Sequence, residues 1–193
     1  MLLTIRSITR ATTLIALAVL LLAGTATSAS AQDDVPARTT IFGGYTFMVD
    51  RSWDENLPYG LVAALSQRFN ETTSLVFEAS GQRGKYGSTD FNIERWAFLG
   101  GFKLQSTGGG EALMPFIQVL GGLSRQAGDV GIQNGWIIQG GGGIDLRFHE
   151  RFALRAFADY RFLREAQHDS EGSHGTNWNQ YRFGGGLVIA LRK

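Results

Sequence analysis

The sequence predicts an all-β chain folded as a single antiparallel, up-and-down barrel of eight strands, and three observations predict it. Eight segments alternate apolar and polar side chains with period two, the mark of strands. Glycines recur as pairs inside those segments rather than between them. The connections between segments alternate short and long.

Residues 1–31 read as a cleaved export signal: Arg6 and Arg10, the apolar run Leu14 to Ala23, then Ala29-Ser30-Ala31 as the cleavage site. That run is too short to span a bilayer as a helix. Residues 32–193 follow as one domain of 193 − 31 = 162 residues, with no proline-rich linker or charge block to divide it. Cysteine is absent, which leaves an exported chain with neither disulfides nor a lipid-bearing cysteine. The signal takes two of 18 basic residues, so the mature chain carries 16 − 17 = −1, no electrostatic footprint for nucleic acid.

The expected strands are 39–49, 59–70, 73–83, 91–105, 112–125, 135–149, 152–165 and 179–192. In the fourth, Trp96, Phe98, Phe102 and Leu104 oppose Arg95 and Lys103; in the last, Tyr181, Phe183, Leu187, Ile189 and Leu191 oppose Gln180 and Arg182. The sixth contains four consecutive glycines, Gly140 to Gly143, before Ile144 and Asp145. A nucleotide-binding loop would need a helix next, to put its N-terminus on the phosphate. Instead the alternation runs on, with Trp136, Ile138, Ile144, Leu146 and Phe148 against Gln139, Asp145, Arg147 and His149. In the seventh, Phe152, Leu154, Tyr160 and Phe162 oppose Arg155, Phe157, Asp159 and Arg161, and only Glu150 and Arg151 separate the two, so they form an antiparallel hairpin. The first and fifth segments are apolar on both faces and their facing stays open.

The pairs Gly43-Gly44, Gly100-Gly101, Gly121-Gly122, Gly142-Gly143 and Gly185-Gly186 sit within strands. Glycine weakens a strand interior, and curvature of a narrow barrel around bulky inward side chains accounts for its recurrence.

Parity alone does not say which face is inside, and a soluble lipocalin-like barrel is the alternative to a membrane barrel. Apolar faces continuous over about 11 to 15 residues, with Trp136, Phe148, Phe152, Tyr160, Phe162 and Tyr181 toward strand ends, suit a lipid-facing wall with two aromatic girdles, since ~9–11 residues cross hydrocarbon when tilted. Short connections at 70–72, 106–111 and 150–151 alternate with long ones at 50–58, 84–90, 126–134 and 166–178, placing the long ones outside the cell and the N-terminus in the periplasm.

The polar faces carry full charges at Glu78, Arg95, Lys103, Asp145, Arg147, Arg155, Asp159 and Arg182. An eight-stranded lumen is barely wide enough for its own side chains, so these charges are expected to form a structural ion-pair network; a conducting pore or proton path is the rival reading. The last long connection holds His168, Asp169, Ser170, Glu171, Ser173 and His174, a composition open to lipid hydrolysis or metal binding, but with no spacing that positions a nucleophile and base or a ligand set. A solvated surface loop is the expectation there, with no catalytic residue, cofactor or metal. Trp53 and Trp178 are candidate adhesive or interfacial contacts, Trp178 for the outer belt. The sequon Asn70-Glu71-Thr72 lies in a short turn and carries no weight.

On these residues the chain resembles the small eight-stranded outer-membrane β-barrel proteins of Gram-negative bacteria, of the outer-membrane protein A, X and W type. Arg182, Gly184, Leu187 and Ile189 resemble the C-terminal signal read by the barrel-assembly machinery, although the chain ends on Arg192-Lys193 where that family commonly ends on an aromatic residue. The resemblance implies an outer-membrane location, contact with membrane lipid and lipopolysaccharide, assembly by that machinery, and a structural or surface-interaction role through outer loops without catalysis. A small channel or transporter for apolar or ionic solutes is the alternative role. The extracellular ligand has no readable code.

Overall fold

The computed structural model describes residues 39–50, 55–85, 92–106, 112–128, 131–169 and 172–191. The export-signal reading of residues 1–31 lies outside them. Eight strands are present among the described residues: β1 (Thr39–Asp50), β2 (Glu55–Arg68), β3 (Thr73–Lys85), β4 (Asn92–Gln105), β5 (Leu113–Gly128), β6 (Gly131–His149), β7 (Phe152–Asp169) and β8 (Gly172–Leu191). Each pairs antiparallel with the next, and β8 pairs with β1 to close the barrel. Closure leaves no open sheet edge, which is the condition for strands to sit in hydrocarbon. Thr39 and Leu191 are paired and mark what we term the terminal end; Asp50 and Gly172 belong to the opposite, loop end.

The side-chain alternation resolves in one direction on every strand. Large apolar residues stand outward, among them Tyr59, Leu61, Phe102, Ile117, Val119, Leu123, Ile138 and Leu154, with Leu61 70% and Ile117 63% exposed. A soluble barrel would bury this face; the alternative of a lipocalin-like carrier therefore fails on facing. On β5 the outward apolar band runs from Leu113 to Leu123, and the next outward residue is the exposed Arg125. Those 11 residues match the ~9–11 that a tilted strand needs to cross hydrocarbon. Exposed Tyr59, Trp96, Trp136, Tyr160 and Tyr181 ring the loop end of this band, and Phe69, Phe102 and Phe148 ring the terminal end. Their amphipathic or bulky rings belong at the two membrane–water boundaries.

The two strands whose facing was open are now fixed. On β1, Phe42, Thr46 and Met48 point inward while Ile41, Tyr45 and Phe47 point outward; on β5, Met114, Phe116, Gln118 and Leu120 point inward. These strands are apolar on both faces because three inward phenylalanines, Phe42, Phe116 and Phe157, fill a level of the lumen. Phe42 and Phe157 meet edge to face with centroids 5.8 Å apart.

Glycine makes room for these rings. A methyl group at Gly143 would lie 2.9 Å from Phe116 Cζ and 2.2 Å from the backbone oxygen of Ala156, and one at Gly184 would lie 2.5 Å from Phe157 Cζ. The curvature expected from the paired glycines thus has a local cause: inward rings lie over inward glycines, and the strands approach closely there. By contrast, the outward Gly43 and Gly140 would meet nothing within 4 Å.

Connections depart from the expected short and long alternation. Where long loops were expected at 126–134 and 166–178, the strands run on: β5 pairs with β6 out to Gly128↔Gly131, and β7 with β8 out to Asp169↔Gly172. The ladder satisfies backbone groups that a loop would leave to water, so it continues beyond the length a bilayer demands. The result is strands of 19, 18 and 20 residues for β6, β7 and β8, whose loop ends project as hairpins. The interval between β1 and β2 likewise shrinks to residues 51–54. At the terminal end, Asn70 builds the β2–β3 turn, its Oδ1 accepting from the backbone N–H of Thr72 (3.0 Å) and Thr73 (2.7 Å).

Candidate functional site in the lumen

Inward polar residues stack in levels because paired strands bring them to the same height. Asp159 on β7 lies directly opposite Arg182 on β8, Gln139 on β6 opposite Arg161 on β7, and Asp145 on β6 opposite Arg155 on β7. Cross-strand neighbours of opposite charge are the natural first contact on such a face.

The central level is an ion-pair cluster closed across the lumen. Arg182 donates to both oxygens of Glu78 on β3, from Nη1 at 2.7 Å and Nη2 at 3.0 Å, and to Asp159 Oδ2 from Nε at 3.1 Å and Nη2 at 2.5 Å. Arg161 donates from Nη2 to Glu78 Oε1 (3.1 Å) and Ser80 Oγ (3.0 Å), and from Nε to Gln139 Oε1 (2.7 Å). Gln118 and Gln139 each donate to Asp159 at 3.2 Å. Two arginines and two carboxylates balance, and the side chains are at most 5% exposed. A buried charge is tolerable only when its partners are this complete.

Toward the terminal end lies the phenylalanine level, then a second ionic level. Arg155 donates to Asp145 from Nε (2.7 Å) and Nη2 (2.8 Å), and Gln105 adds a third bond to Asp145 Oδ2 at 2.7 Å. The Arg155 guanidinium stands 4.5 Å from the Phe116 centroid and 4.9 Å from that of Phe42; Arg182 stands 5.0 Å from Phe157 on the other side. Cations thus sandwich the aromatic level through ring faces.

Of the eight charges singled out in the sequence, the structure joins Glu78, Asp159 and Arg182 in one cluster and Asp145 with Arg155 in another. Arg95 is buried apart from both, its guanidinium donating to Gln126 Oε1. Lys103 is buried near Asp145 and Arg155, with its ammonium 5.6 Å from the Phe116 centroid. Arg147 lies near the terminal mouth and donates to the Met114 sulfur at 3.0 Å. Sequence reading left out Arg161 and the glutamines that complete both clusters, although Arg161 shares the parity of Arg155 and Asp159. The reach of Glu78 across the lumen to β7 and β8 has no sequence signal, because it depends on barrel closure.

The side chains of His168, Asp169, Ser173 and His174, and Ser170 and Glu171 altogether, lie outside the described residues, as do Trp53 and the Trp178 side chain. Within the described residues no group of three His, Cys, Asp or Glu is placed to hold a metal ion.

A closed eight-stranded antiparallel wall, apolar outside and ionic inside, is the architecture of an outer-membrane β-barrel. Comparison with solved structures agrees on the fold. The chain is similar to Neisserial surface protein A (TM-score 0.62, 8% identity, 82% of this chain and 99% of that one). It is similar also to outer membrane protein AlkL, solved in lipid bilayers (0.54, 10%, 86% and 95%). A third likeness is to outer membrane protein OprG from Pseudomonas aeruginosa (0.50, 12%, 81% and 97%). No protein-family model and no curated protein matches the sequence.

Proposed function

We propose that the chain is a non-enzymatic outer-membrane protein, assembled with the N-terminus in the periplasm, whose closed barrel anchors hairpins that meet the extracellular environment. The observation that carries this reading is the filled central level: Glu78, Asp159, Arg161 and Arg182 occupy the lumen, buried and bonded to one another. In a barrel of eight strands such a level is a plug, not a filter. The extensions of β5 to β8 beyond the apolar band supply the surface for contact. Its partners on this reading are membrane lipid and lipopolysaccharide around the wall, and the barrel-assembly machinery during insertion.

Conductance separates this role from a channel. Purified protein reconstituted into planar bilayers is expected to show no discrete ionic conductance steps above the lipid background. Reproducible steps abolished by heat denaturation would replace the anchor with a pore.

A further inference from the structure

The terminal mouth of the lumen opens a small cavity of about 50 Å³ walled by the ends of β1, β2, β4, β5, β6, β7 and β8. Arg155 and Asp145 neutralise each other within it, and both Asp145 oxygens are already bonded to Arg155, with Gln105 a further donor to Oδ2. Beyond that pair, Lys103, Arg147 and Arg151 line the mouth together with the carboxylate of Glu150.

Two of these cations hold unusually soft partners. Lys103 is 2% exposed, and among the described residues its ammonium has a ring face, Phe116, but no carboxylate within ion-pair distance. Arg147 spends a guanidinium N–H on a thioether, a weak acceptor. A buried ammonium whose neighbouring carboxylate, Asp145, is already bonded by Arg155 is costly, and a tetrahedral oxyanion accepts from ammonium and guanidinium together. We propose that the terminal mouth binds a phosphate-type oxyanion, seated between Lys103 and Arg147 with Arg151 at the rim. A free phosphate and the phosphodiester of an anionic lipid share this chemistry.

The test uses the full mature chain in a maltoside micelle, in phosphate-free buffer at constant ionic strength set with chloride. Inorganic phosphate, and separately phosphatidylglycerol doped into the micelle, are titrated while backbone amide resonances of residues 103–105 and 145–153 are followed by NMR. Saturable shifts with inorganic phosphate, abolished in Lys103→Met, identify a free-oxyanion site. Saturation with phosphatidylglycerol alone, again lost in Lys103→Met, makes the lipid headgroup the ligand. If Lys103→Met does not fold, Arg147→Gln is the reporter, with affinity expected to fall about tenfold or more through loss of a charged hydrogen bond. Absence of saturable shifts with both probes, or affinities unchanged in the variants, would overturn the site. Neither outcome bears on whether the barrel conducts.

Discussion

Replacing Arg182 with methionine is expected to destabilise the barrel by about 3–5 kcal/mol, the range for removing one member of a buried ion cluster. Arg182 is fully buried and, among the described residues, is the one cation paired with both Glu78 and Asp159. Its loss strands two carboxylates in the lumen with Arg161 alone, which reaches Glu78 but makes no described bond to Asp159. The measurement is reversible urea unfolding of the refolded protein in lipid vesicles, followed by tryptophan fluorescence. The companion double variant Arg182→Met, Asp159→Asn, which leaves the Arg161–Glu78 pair balanced, distinguishes the cause. It should recover much of the loss, because the cost lies in unpaired charge rather than in missing attraction. Equal loss in both variants would mean that packing around the arginine stem, including its contact with Phe157, dominates.

On the outer wall, Val119→Arg is expected to cost about 2–4 kcal/mol in the same assay, the value for a cation near the bilayer midplane on a lipid-facing strand. Val119 is 64% exposed and sits near the middle of the outward band Leu113 to Leu123 on β5. Exposure is the informative feature. In a soluble protein an exposed valine accepts arginine within about ±0.5 kcal/mol, so the size of the loss reports the solvent and not the packing. A near-zero effect would place water, not lipid, against this face.

How far the fold was legible follows from these same residues. Alternation on β6, β7 and β8 is strict because their outward side chains face one solvent and their inward ones another, and Trp136, Ile138, Ile144 and Leu146 show this without any structure. On β1 and β5 the signal fails where Phe42, Met48, Phe116 and Leu120 turn inward, since a filled lumen has its own apolar level. Loop lengths misled for a related reason. Polar residues after the membrane band read as loop, but the backbone continues pairing wherever a partner strand is present, as between Gln126↔Gln133 and Gln167↔His174. The candidate site was half legible: facing pairs such as Asp145 with Arg155 follow from hairpin register, whereas Glu78 with Arg161 and Arg182 spans 83 and 104 residues of chain and exists only once β8 meets β1.

This chain is a closed barrel with its apolar face in an outer membrane. Fractionation of expressing cells followed by electrophoresis with and without boiling tests it most directly, since a closed barrel held by a complete strand ladder resists detergent until heated. The expected result is protein in the outer-membrane fraction, folded and fast-migrating before boiling and shifted after it. Protein released in soluble form, with one mobility under both conditions, would contradict it.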